Sequence, residues 1–146
     1  MKLFLFVSGV ESCSSNPPAR VSHGEMTAVD LASVFASITT YWDPHIVGDL
    51  NGQQVKCARL RGEFVWHQHE AEDELFLVHQ GTLHMRLRTG TVTIGPGQFY
   101  IVPRGVEHQP FAPDDVEVVL FEPATTLNTG NVRNGLTRET LKRVTT

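Results

Sequence analysis

Hydrophobic and polar positions alternate with a period of two along much of this chain. Leu83, Met85 and Leu87 alternate with His84, Arg86 and Arg88, which predicts a half-buried strand with His84 on its exposed face. Further short runs predict strands over 46–50, 55–61, 64–69, 75–79, 91–94, 99–102, 108–111 and 116–121. Phe99, Ile101, Val118 and Leu120 read as core. Turn signals stand between the runs: Asn51-Gly52, Gln80-Gly81, Thr89-Gly90, Gly95-Pro96-Gly97 and Pro103-Arg104-Gly105. Short strands with a turn every ~8–12 residues predict an antiparallel sandwich or barrel.

The period becomes helical over 30–38, where Val29, Leu31, Val34, Phe35 and Ile38 share a face. Thr27 or Asp30 is available as a cap. Tyr41-Trp42-Asp43-Pro44 ends the helix, because a residue before proline avoids the helical region. At the other end, 123–134 reads as polar loop and 137–144 as a short closing helix.

Residues 1–10 carry one Lys and a short apolar run, but Glu11 follows at once and no small-x-small cleavage site appears. The simpler reading is an edge strand over 2–7, within an N-terminal extension of 1–25. The compact domain is then 26–146. An exposed edge strand invites pairing with another chain, so a homodimer is expected. No run approaches the ~20 apolar residues of a membrane span, and a cytoplasmic location is expected.

The chain has 146 residues, enough for one domain with a core of its own. Hydrophobic residues make up 40% and charged residues 19%, which excludes wholesale disorder. The net charge of −4 gives no electrostatic reason for a nucleic-acid or anionic membrane partner. Cys13 and Cys57 are too few for a disulfide framework.

Seven histidines are the unusual feature of the composition, and three of them fall in suggestive places. His67 and His69, at i and i+2 of a predicted strand, point to one side. The acidic turn 70–73 brings the chain back to Glu74, and His108 follows the Pro103-Arg104-Gly105 turn. Three imidazoles and a carboxylate are a donor set for a divalent metal of borderline character. An isolated His-x-His pair carries little weight by itself.

The two segments together resemble the cupin motifs. The first has Gly62, His67-Gln68-His69, Glu74 and Gly81; the second has Gly97, Pro103-x-Gly105 and His108. Four residues separate Gly62 from His67 where five are usual, and Ala112 stands where Asn is frequent. The resemblance spans about 42–123. It implies an all-β double-stranded β-helix, a jelly-roll barrel, flanked here by the short N-terminal and C-terminal helices. It also implies a metal in a pocket, with His67, His69, Glu74 and His108 as ligands to one divalent ion of iron, manganese, nickel, copper or zinc. Glu70, Glu72 and Asp73 read as a solvated turn, any of them a minor alternative to Glu74.

Strand parity then predicts the pocket lining. Val65 follows His67 and His69 inward, and Phe76 and Val78 follow Glu74. Arg59 and Arg61 are candidates to hold a carboxylate substrate, against a solvated strand face as the simpler reading. Cys57, on the same face, is a further pocket candidate, with a buried inert thiol as the simpler reading. The expected function is a metal-dependent cupin enzyme acting on a small organic molecule, by oxygenase-like or Lewis-acid chemistry. Dioxygenase, decarboxylase, isomerase and lyase types all fit. The alternatives are a small-molecule sensor and a cupin whose metal is structural.

Overall fold

The alternating runs become strands wrapped around one interior. In this computed structural model, which describes residues 28–144, a helix α1 (Leu31–Ser37) precedes strands β1 (His45–Leu50), β2 (Gln53–Glu63), β3 (Glu74–Gln80) and β4 (Leu83–Leu87). After them come β5 (Gly90–Ile94), β6 (Phe99–Val102), β7 (His108–Pro123) and β8 (Lys142–Arg143). The extension 1–25 and its expected edge strand lie outside the described residues.

The long strand β7 organises the barrel. It runs antiparallel to β2 from Gln53↔Pro123 to Glu63↔Phe111. Its first half also pairs with β4 and its second half with β3. β6 extends the sheet from β3, β5 from β4, and β1 from β2. The result is the expected all-β jelly roll.

Period-two alternation buries both faces of the central strands. Ala58 and Leu60 of β2, Phe76 and Val78 of β3, and Val118 and Leu120 of β7 point into the barrel. Their neighbours Cys57 and Val119 point the other way, under Val34, Phe35 and Ile38 of α1. The helix therefore covers the outside of the sheet.

Several elements differ from the sequence reading. The runs 108–111 and 116–121 are one strand, because Pro113-Asp114-Asp115 is accommodated as a bulge between Gly62↔Ala112 and Leu60↔Val116. A proline lacks the donor a regular ladder needs, and a bulge removes that demand. Residues 64–69 form no ladder; they are extended, with a single bridge from His67 to His108. The expected C-terminal helix is absent: 137–141 is irregular and β8 pairs in parallel with β1. Lys142 and Arg143 there meet Asp43 and Asp49, and the Val144 N–H donates to the Ile46 carbonyl. Phe99 and Ile101 are exposed, 62% and 46%, while Val102 is buried. In a four-residue strand of apolar side chains, periodicity does not choose the face. His84 is half-buried, its ring lying on Phe111.

Candidate metal centre

Three segments meet at the site. Glu74 opens β3 and His108 opens β7, while His67 and His69 sit in the extended segment between β2 and β3. The His67 N–H donates to the His108 carbonyl at 3.0 Å, and the His108 N–H to the His67 carbonyl at 2.9 Å. The turn before β7 grips the same segment, because the Gly105 N–H donates to the His69 carbonyl at 2.7 Å. The Arg104 N–H donates to Asp73 Oδ1 at 2.9 Å, which ties that turn to the one before Glu74.

The four side chains are buried, and one potential ligand atom from each lies within 4.8 Å of all the others. Nδ1 of His67 is 3.0 Å from the Val65 carbonyl, and Nδ1 of His108 is 2.9 Å from the Val106 carbonyl. A carbonyl only accepts, so each Nδ1 carries the proton and each Nε2 is left with a lone pair. Nε2 of His69 and of His108 lie 3.2 and 3.4 Å from Glu74 Oε2. All three of these atoms are buried and have no hydrogen-bond partner among the described residues. A lone pair on His108 Nε2 and a carboxylate oxygen facing each other in a buried site are costly unless a cation sits among them. The donor set therefore fits a divalent metal.

Electrostatics agree with that fit. Burial, then the neighbouring His108, pushes the His67 imidazole down to about 4, so it is neutral as a ligand must be. Burial alone would raise the Glu74 carboxyl, but the His108 and His69 imidazoles close beside it outweigh burial and hold Glu74 below the usual range.

His67 and Glu74 open onto a narrow, half-open cavity of the barrel. Its walls are largely apolar, with Trp42, Phe64, Phe76 and Leu120 among them. Of the residues expected in the pocket, Phe76 lines it. Val78 is buried in the barrel, and Val65 packs at the edge of the core, but neither borders the cavity. Arg59, Arg61 and Cys57 are on the opposite parity of β2. Arg59 donates to the Ile38 carbonyl and pairs with Asp115, Arg61 is exposed, and Cys57 is buried beneath α1.

The sequence reading missed the other face of β2. Lys56 is 1% exposed, and its Nζ lies 2.6 Å from Oε1 of Glu122, which is equally buried and lines the cavity. Burial, then the charge of Glu74, pushes the Glu122 carboxyl well above its ordinary value. The signal was available in Ala58 and Leu60, whose apolar character marks that parity as inward. Trp42 was also missed as a wall residue. It sits at φ 58°, rare for a bulky side chain, and its indole N–H donates to the Arg61 carbonyl.

Comparison with known proteins places this architecture. The family model described as the cupin domain matches residues 60–123. A crystal structure of a cupin-2 domain containing protein from Shewanella frigidimarina is similar at 35% identity, covering 65% of this chain and 93% of that one, with a TM-score of 0.64. A Neisseria meningitidis protein of known structure is 28% identical over 67% of this chain and all of its own, with a TM-score of 0.61. An uncharacterised Bacillus subtilis (strain 168) protein is 30% identical over 64 residues, which are 43% of this chain and 57% of that relative. The matched stretch thus spans little more than half of that relative's length.

Proposed function

The chain belongs to the cupin family, and from that footing we propose that it is a metal-dependent enzyme acting on a small, largely apolar organic molecule. His67, His69, Glu74 and His108 hold one divalent cation. The observation that carries this reading is the convergence of four buried donors, three of their atoms unpartnered, on the wall of an apolar cavity. When bound, the cation supplies Lewis acidity, or redox capacity where it is iron, manganese or copper.

The chain's own residues do the rest. Val65 and Val106 carbonyls fix the His67 and His108 rings through their Nδ1 protons. Glu74 contributes one negative charge, which offsets half that of a divalent cation. Phe64, Phe76 and Trp42 orient a flat or aliphatic substrate and keep water from it. Arg59 and Arg61 stand outside the cavity, so among the described residues a carboxylate would find no arginine there. Lys56, already engaged by Glu122, is the cation beside the cavity. The substrate is therefore neutral, or bound to the metal itself. Homodimer formation belongs to the same proposal, and a monomer in light scattering at micromolar concentration would count against it.

The test is reconstitution of purified protein with iron, manganese, nickel, copper or zinc. Metal content, oxygen uptake and product formation are then followed over a panel of small alcohols, phenols and carbonyl compounds. Turnover with at least one metal, lost in Glu74→Gln, is expected. Stoichiometric metal with ligand binding but no turnover would favour a sensor.

A further inference from the structure

The extended segment 64–69 carries two of the four donors, yet among the described residues no ladder strand flanks it beyond the His67–His108 bridge. A different part of the chain takes the partner's place at Gln68, the residue between the two histidines. The Gln68 N–H donates to Asn131 Oδ1 at 3.0 Å, and the Asn131 N–H donates to the Gln68 carbonyl at 3.1 Å. Asn131 thus satisfies both main-chain groups of one residue, as a neighbouring strand would. Gly130 makes the approach close. Its φ is +52°, and a Cβ there would overlap the Gln68 carbonyl and lie 3.3 Å from the His67 ring.

The loop that presents Asn131 is itself built to hold still. Thr129 is fully buried; its hydroxyl donates to the Val132 carbonyl at 2.7 Å and meets the Thr137 hydroxyl at 2.9 Å. Asn128 donates to the Leu136 carbonyl and accepts from the Arg138 N–H, both at 2.8 Å. Arg138 pairs with the buried Asp43 at 3.3 Å, which anchors the loop to the barrel. This loop lies beyond the part of the chain that matches the family model, which ends at residue 123.

We propose that Asn131, seated by Gly130, is a positioning residue of the metal centre: its clamp on Gln68 sets the direction in which His67 and His69 present their donors. The inference rests on the metal-binding reading above. Without the clamp, the segment keeps its bridge to His108 and the Gly105 bond to the His69 carbonyl, but the main-chain groups of Gln68 between them lose their partners and can reorient. One imidazole then leaves the common point. Residues that orient ligands from behind typically contribute ~10–100-fold to metal affinity.

The experiment measures zinc and cobalt affinity of the full chain by competition with a chromophoric chelator, alongside metal-free melting. Asn131→Ala should bind each metal at least tenfold more weakly. Asn131→Asp keeps an oxygen that accepts from Gln68 and should restore affinity to within about threefold of the parent. Gly130→Ala should weaken binding like Asn131→Ala. The cobalt absorption spectrum of Asn131→Ala should also change shape, which a loss of stability alone would not produce. Affinity within threefold of the parent in Asn131→Ala would overturn the proposal. So would equal weakening in the alanine and aspartate variants. A parent protein that binds neither metal would remove the metal reading itself, and this inference with it.

Discussion

His67 and His108 each donate a backbone N–H to the other's carbonyl, at 3.0 and 2.9 Å, and their rings lie 4.2 Å apart at the centroids. Each ring is steered by the carbonyl two residues before it. Main-chain bonds, rather than side-chain packing alone, therefore set the aim of two donors. The frame should persist when a donor is removed.

Glu74→Gln consequently keeps the fold but weakens metal binding, because the one anionic donor is replaced by a neutral amide. The double change His67→Ala and His69→Ala should abolish binding, since Glu74 and His108 alone compete poorly with water. Circular dichroism together with elemental analysis checks both. Full metal occupancy in the double variant would refute the assignment.

Lys56 and Glu122 form a buried ion pair beside this site, 2.6 Å apart. Removing one partner of such a pair typically costs about 3–5 kcal/mol, because the other charge is stranded. Lys56→Met should fall at the lower end, about 3 kcal/mol, since burial and Glu74 already favour a protonated Glu122. Adding Glu122→Leu should recover most of the loss. Urea unfolding of the two single variants and the double variant measures the coupling. A cost below about 1 kcal/mol for Lys56→Met would show that the pair is not desolvated as its burial indicates.

The strands and the convergence of His67, His69, Glu74 and His108 were legible because both are written in local patterns. Turn residues fix the strand ends, and i, i+2 spacing puts His67 and His69 on one side. Glu74 and His108 each follow a turn that returns the chain. What was not legible depends on partners distant in sequence. β2 alternates correctly, but Cys57-Arg59-Arg61 and Lys56-Ala58-Leu60 both carry charge, and a charged residue on the inward face becomes intelligible only when Glu122 is opposite. Phe99 and Ile101 looked like core because nothing local says that β6 pairs on one edge with β3. The role of Asn131 had no local signal, since its contact with Gln68 joins an irregular loop to an extended segment.

Cys57 makes the alkaline side of the stability profile testable. Burial, then the charge of Glu117, pushes its thiol up to about 11 from an ordinary 9.0. Between those values the unfolded chain loses the thiol proton while the folded one keeps it. Stability therefore falls as pH rises from 9 to 11, by about 2–3 kcal/mol from this group at the upper limit. Urea midpoints at pH 8, 9 and 10 should decline more steeply in the parent than in Cys57→Ala. Parallel slopes would remove Cys57 as the cause. The native thiol should also react slowly with disulfide reagents at pH 8, because it is fully buried.

The acid side is governed by the metal centre, through two effects of the same sign. In the metal-free protein the His67 imidazole titrates near 4, against 6.5 for the ordinary group. Below 6.5 the unfolded chain takes up a proton that the folded one refuses. The contribution of His67 is thus present in full above 6.5 and is lost as pH falls through about 4. A shift of this size corresponds to about 3 kcal/mol. Metal adds to it, because a ligand that binds only the folded state stabilises by about 4 kcal/mol at a thousandfold excess over its dissociation constant. Protons compete with the cation for the same imidazoles, so this increment also fades in acid. Chelator should therefore lower the melting temperature clearly at pH 7 and much less at pH 5. The chelated protein should still lose stability between pH 6.5 and 4. A chelator-insensitive melt at pH 7 would count against metal stabilisation, and a flat profile of the chelated protein over that acid range would count against a neutral, buried His67.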